Sequence, residues 1–433
     1  MKLVRQQLQE LRTSTLAQNA GWMVVGQGAG FVLQAGYFVL LARLLGSTQY
    51  GIYAGTFALV SIASQYSALG SGTVFVRYVS ADPKKFAAYW GNILLVVVAV
   101  SAVLSLLLHL LAPYVLNPAS AAIVFPAAIS VCFCTQVAYS AGQVFQAFEQ
   151  LRVTALMNLL TNLLRMLTAA ALVLILHHTT AWTWTVVSMI VSLVGAAIAV
   201  VTVTVHFGRP KFVPRLFTRH AAEGIGYSFA SSTASAYNDL DKTMLSHYGM
   251  NLANGIYSMA YRVVDIATIP VFSIRDAAMP RFFAQGANGV RKSAALANWL
   301  LRRATLLGLA SAIVLFVIAP IIPHIVGQDF APSVVALRWL CLIPLFRSVH
   351  QMTGSALTGA GLQRYRTSTQ VVAAASNFAL NLWLIPAHGW LGAAWASLLT
   401  DAGLGALNWC VLAFLCKRSV SLPIPTSNQC SLG

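Results

Sequence analysis

Apolar residues fall along this 433-residue chain in long runs separated by short polar breaks. A helix needs about 20 such residues to cross a bilayer. Twelve segments qualify: 20–43, 51–73, 87–111, 121–147, 152–177, 182–206, 222–246, 252–277, 295–320, 332–352, 367–386 and 390–416. The apolar–polar alternation of a transmembrane barrel strand is absent from them. The pattern predicts an all-α membrane protein of about twelve transmembrane helices joined by short connections. The longest polar stretch, 207–220, is too short to be a soluble domain.

Composition agrees. Hydrophobic residues make up 58% of the chain and charged residues 9%, with a mean hydropathy of +0.73. A soluble domain carries about 25% charged residues. The balance of 27 Lys+Arg against 10 Asp+Glu gives a net charge of +17. No continuous basic face with interleaved exposed aromatics is present, so nucleic acid is not an expected partner. The basic residues cluster between the apolar runs instead. With the N-terminus inside, they fall almost entirely on the inside face. Only Arg43 and Arg338 remain outside, while Arg165, Lys242 and Arg262 lie within spans. The positive-inside rule thus predicts an N-in, C-in topology with basic ends touching lipid headgroups. Met1–Asn19 is basic and amphipathic. No cleavage site follows it, so it reads as a retained surface helix. Cys132-x-Cys134 has no neighbouring ligand to complete a zinc site, and the six cysteines imply no disulfide framework.

An internal repeat divides the chain. Gly51-Ile52-Tyr53 recurs as Gly255-Ile256-Tyr257, and Arg77 recurs as Arg281 at the same offset of 204. Each Arg is followed by a basic loop and an Ala-x-Trp, ending at Trp90 and at Trp299. Two parallel six-helix lobes follow, 1–206 and 221–416, with a basic linker at 207–220 and a tail at 417–433. Transporters with this plan bind substrate between the halves and rock to alternate access.

At these motifs the chain resembles the polysaccharide transporter family of the multidrug/oligosaccharidyl-lipid/polysaccharide exporter superfamily. The resemblance is carried by LLARLLGSTQYGIYA (40–54), LGSGTVFVRYVS (69–80), the NDLDKTMLSHYG and NGIYSMAYRVVDIATIP blocks within 238–270, MPRFF (279–283), LTGAGLQRYR (357–366) and NLWLIPAHGWLGAAWASLL (381–399). These blocks run in family order over nearly the whole chain. The resemblance implies a flippase of the bacterial inner membrane. Its substrate would be a polyprenyl-pyrophosphate-linked oligosaccharide, moved to the periplasmic leaflet for O-antigen, capsule or exopolysaccharide. A polysaccharide polymerase is the implied partner, and no cofactor is implied. The rival readings are a cation-coupled drug exporter of the same superfamily, a peptidoglycan-precursor flippase with two further spans, and a non-transporting scaffold. No Ser-His-Asp, metal-ligand or P-loop arrangement suggests an enzyme.

Ionisable residues inside spans are costly and mark cavities or partners. By helical rise, Arg165 lies about 20 Å into its span, Arg262 about 15 Å, Asp265 one turn deeper and Asp401 about 16 Å. Arg262 and Asp265 share a helix face and either neutralise each other or hold a pyrophosphate. Arg165 has no acid in its own helix, so a partner or an anionic ligand is expected. Span 222–246 is the most polar. It carries Ser228, Ser231 and Ser232 and the trio Asp239, Asp241 and Lys242, in which Asp239 and Lys242 are spaced to pair. Asp241-Lys242 also matches an acid–base pair that recurs in the family. The expected substrate-binding set is therefore Arg165, Arg262, Asp265, Asp239, Asp241, Lys242 and Asp401, with Arg77 and Arg281 at basic helix ends. The histidines lie mostly near span ends, where their default role is interfacial; His247 adjoins the polar span, and a proton relay is the alternative reading there. Gly26 and Gly30 form a small-residue packing face, and Pro270 and Pro344 are expected kinks. Trp22, Trp90, Trp182, Trp184, Trp299, Trp339 and Trp390 sit near span ends, as an interfacial belt does.

Overall fold

The computed structural model describes the backbone of residues 15–213 and 215–418, with side chains throughout except at 15–25, 27 and 216–223. Most of the expected N-terminal surface helix, the tail beyond Arg418, Cys430 and the Trp22 side chain lie outside the described residues. Lipid offers the backbone no hydrogen-bond partners, so each spanning segment must close its bonds internally as a helix. The main helices are α1 (Thr15–Ser64), α2 (Ser71–Val79), α3 (Phe86–Val115), α4 (Val124–Ala147), α5 (Leu151–Leu176), α6 (Ala181–Phe207), α7 (Arg215–His247), α8 (Asn251–Gly286), α9 (Val290–Ile318), α10 (Ser333–Leu340), α11 (Ile343–Gly359), α12 (Gln363–His388) and α13 (Trp390–Arg418). No strand occurs among the described residues.

Nine helices among the described residues are long and apolar enough to cross a membrane. The difference from twelve has two causes. The first two predicted spans are two helices counted together as α1, which meet at a kink at Gly46, where φ is 66° and ψ is 173°. Only glycine adopts that conformation cheaply. The helices α7 and α8, of 33 and 36 residues, exceed the length needed but are too polar on average to count as apolar. Pro270 sits inside α8, as expected. Pro344 stands in the first turn of α11, where the span Ser333–Gly359 breaks between α10 and α11.

Contacts divide the chain into two compact units: the described parts of Met1–Ser235 with Ser246–Leu252, and of Ala236–Leu245 with Ala253–Gly433. In the first unit, Phe75, Trp90, Phe145 and Val203 centre an apolar core built from α2, α3, α4 and α6. Trp90 and Trp184 are fully buried, so these two belong to the interior and not to the belt. Trp182, Trp299 and Trp339 are exposed, at 52%, 48% and 45%. In the second unit, Phe282, Leu300, Met352 and Leu412 gather α8, α9, α11 and α13.

The glycine face of α1 packs on α5. A Cβ added at Gly26 would lie 2.7 Å from the Ala155 Cβ, and one added at Gly36 would lie 3.3 Å from the Met166 sulfur. Close backbone approach of this kind replaces the hydrophobic drive that is missing between helices in lipid. Gly26→Leu is expected to cost about 1–3 kcal/mol by overpacking. A lowered thermal midpoint of the detergent-purified protein checks this, with Gly28→Leu as control, because nothing lies within 4 Å of a Cβ at Gly28.

Candidate functional site

Arg165 stands at mid-length in α5, whose apolar sequence leaves it few local partners. One guanidinium nitrogen donates to the Thr135 hydroxyl at 3.3 Å, and its buried Nε has no hydrogen-bond partner. Among the described residues, no carboxylate lies within ion-pair distance of it. Thr135 ends a π-helical stretch, Ile129–Thr135, inside α4. Its hydroxyl donates back to the Ser130 carbonyl at 3.0 Å, leaving its lone pairs to Arg165. Such widened turns re-aim side chains and recur at functional sites.

Arg165 lines a cleft of about 290 Å³ together with Gln34, Tyr139, Asn158 and Asn162. A second cleft, of about 530 Å³, shares Thr135 and Tyr139 with the first. It is walled by Ser61, Gln65, Gln136, Gln143, Ser228 and Ser231. The turn before α2 shapes it. Gly70 takes φ 65°, and a Cβ there would meet the Gly224 carbonyl oxygen at 2.5 Å. One cationic cleft therefore adjoins a larger cleft of hydroxyls and amides, all within the first unit. The first suits a phosphate group by its forked donors, and the second suits sugar hydroxyls.

The other in-span charges sit together in the second unit. At the centre is Arg347, whose side chain is 6% exposed. It donates to Asp265 at 2.8 Å, to Asn238 Oδ1 at 3.1 Å and to the Tyr261 hydroxyl at 2.9 Å, and its Nε lies 3.6 Å from Asp401. Asp401 also faces His350 Nε2 at 3.5 Å. Lys242 pairs with Asp239 at 2.5 Å, donates to the Asn238 carbonyl at 3.0 Å and lies over the Tyr261 ring. Asp241 is fully buried. It accepts from Tyr257 and, at 3.0 Å, from Ser397. The expected pair of Arg262 and Asp265 is present but long, at 3.9 Å, because Asp265 turns to Arg347. Asp239, Asp241, Lys242 and Asp401 thus meet one another and neighbouring side chains, whereas Arg262 keeps 41% of its side chain exposed. Arg77 and Arg281 are exposed near the C-terminal ends of α2 and α8. His247 is exposed, with its Nδ1 3.0 Å from the Val115 carbonyl.

From sequence, Arg347 counts among the basic residues closing span 332–352; the structure makes it the hub of the second unit. The available signal is its position several residues inside that span, opposite in-span acids that outnumber their local cations. The amide and hydroxyl wall of the second cleft carries no comparable signal, because Ser and Gln are ordinary residues in any one helix.

Comparison with known proteins completes the picture. Residues 16–285, more than half of the chain, match the family model described as polysaccharide biosynthesis protein. The lipid II flippase MurJ, in an inward closed conformation, superposes with a TM-score of 0.72 at 12% identity, over 90% of this chain and 87% of that one. An inward-facing multidrug resistance MATE family transporter of the MOP superfamily gives 0.69 at 13% identity, over 90% and 96%. A MOP superfamily transporter from Pyrococcus furiosus, described as having a binding pocket of reverse polarity, gives 0.60 at 12% identity, over 94% and 98%. No curated protein sequence matches this one significantly. At such identities the likeness is one of fold, and the family model adds membership: this multi-pass membrane protein has the transporter fold shared by MATE and MurJ and belongs to the polysaccharide biosynthesis protein family.

Proposed function

We propose that the protein is a flippase that carries a polyprenyl-pyrophosphate-linked oligosaccharide from the cytoplasmic to the periplasmic leaflet of the bacterial inner membrane. Its product would feed O-antigen, capsule or exopolysaccharide synthesis, with a polymerase downstream. The observation that carries this reading is the junction of the Arg165 cleft with the polar cleft across Thr135 and Tyr139. A pyrophosphate held by the guanidinium fork would place the first sugar among hydroxyls and amides, while the polyprenyl chain stays in lipid. Arg77, Arg281 and the half-exposed Arg262 would add positive charge that attracts the pyrophosphate. Asp265, Asp239, Asp241, Lys242 and Asp401 hold the second unit in a defined packing. Two six-helix lobes, 1–206 and 221–416, rock about the 207–220 linker, with both termini cytoplasmic. Likeness to MurJ in fold and membership of a polysaccharide biosynthesis family both support this reading.

A strain lacking the gene tests it. Lipid-linked oligosaccharide should accumulate on the cytoplasmic face and clear when the gene is restored. Unchanged lipid-linked sugar with altered drug sensitivity would favour the cation-coupled exporter, a reading supported by the MATE fold.

A further inference from the structure

A third cleft in the first unit, of about 760 Å³, has no polar lining. Leu94, Leu95 and Val98 of α3, Phe133 of α4 and Val200 of α6 wall it, and Phe212 lies over one end. An apolar cavity of this kind excludes water and sugar and takes hydrocarbon. Its depth is set by the two helices. The segment after α6 returns to the start of α3, where the Lys211 amide donates to the Ala87 carbonyl at 2.7 Å. The Lys211 carbonyl lies so close to Gly91 that a Cβ there would strike it. Counted from Ala87, Leu94 lies about 10 Å and Ala99 about 18 Å along α3. That interval runs to about the midplane of a core about 30 Å thick, within reach of an acyl chain from the nearer leaflet.

The mouth of the cleft is cationic. Arg209 and Lys211 precede Phe212 in the segment after α6, and Lys84 and Lys85 stand just before α3; all four are exposed. The acid described beside them, Asp82, pairs with Lys85 at 3.5 Å, which leaves an excess of positive charge. Apolar depth under a basic rim fits an amphiphile with an anionic head. Ala196 lines both this cleft and the Arg165 cleft, so an occupant would press on the back of the helix that walls the candidate site.

We propose that this cleft binds an anionic phospholipid, one acyl chain lying beneath Phe212 and the phosphate meeting Arg209 and Lys211. The site does not depend on what the protein transports. Native mass spectrometry of the full chain in detergent, offered equal dioleoyl phosphatidylglycerol and dioleoyl phosphatidylcholine, tests it. Each basic residue near an anionic lipid is worth about fivefold in binding. Wild type should retain phosphatidylglycerol at least about fivefold over phosphatidylcholine, and Arg209→Ala with Lys211→Ala should bring the ratio close to one. Ala197→Trp, which fills the cleft from an exposed position, should lower retention of both lipids several-fold. Three results would overturn the proposal: no preference in wild type, a preference that survives the double variant, or a co-purified polyprenyl phosphate in place of phospholipid. Equal thermal midpoints for the three proteins show that folding is not the cause.

Discussion

Arg347→Ala is expected to remove most of the folded protein from the membrane. The substitution leaves Asp401, 4% exposed, and Asp265, 37% exposed, without their shared cation. It also strips partners from Asn238 and Tyr261. Removing one member of a buried charge pair costs about 3–5 kcal/mol, because the remaining charge stays desolvated. That is a large part of a typical folding stability. Lysine should rescue little, since an ammonium is a point charge and cannot reach this many acceptors in a fixed fork. Neutralising the whole cluster is a different matter. Arg347→Met combined with Asp265→Asn and Asp401→Asn should recover much of the loss. Size-exclusion yield and the thermal midpoint in detergent measure all three. Wild-type yield and midpoint for Arg347→Ala would show that the network contributes nothing to stability.

Arg165→Ala should behave in the opposite way. No carboxylate among the described residues depends on Arg165, and the substitution removes a single long hydrogen bond, to Thr135. The variant should therefore reach near wild-type yield. Hydrogen bonds to a charged group are worth about 1.5–3 kcal/mol each. Translocation of the lipid-linked substrate should accordingly fall about 10- to 100-fold. Arg165→Lys should retain part of the activity, as a cation without the fork. Complementation of the deletion strain, scored by surface polysaccharide at matched protein levels, measures this. The two arginines are thus assigned separate roles by their partners: Arg347 is saturated by acids, and the part-buried Arg165 faces a cleft with an unsatisfied nitrogen.

Much of the fold was legible because lipid imposes a simple rule. A run of about 20 apolar residues has one stable backbone form, so nearly every predicted span coincides with a helix. The rule failed where packing decides. It does not distinguish a tryptophan buried at a helix end, such as Trp90, from one in the interfacial belt. The pairing of Lys242 with Asp239 was legible since both lie on one helix face. The pairing of Arg347 with Asp265 and Asp401 was not, because it joins three helices whose neighbours no local spacing reveals. The polar cleft was hidden for a similar reason: its wall is assembled from α1, α2, α4 and α7 and the turn between the first two.

The most direct measurement is translocation by purified protein in proteoliposomes loaded with polyprenyl-pyrophosphate-linked oligosaccharide. A membrane-impermeant sugar oxidant reports which leaflet holds the glycan. Wild type should move the glycan across the bilayer far faster than protein-free vesicles, and equally folded Arg165→Ala should not. Wild-type vesicles no faster than empty ones, or Arg165→Ala as fast as wild type, would contradict a flippase built on the Arg165 cleft.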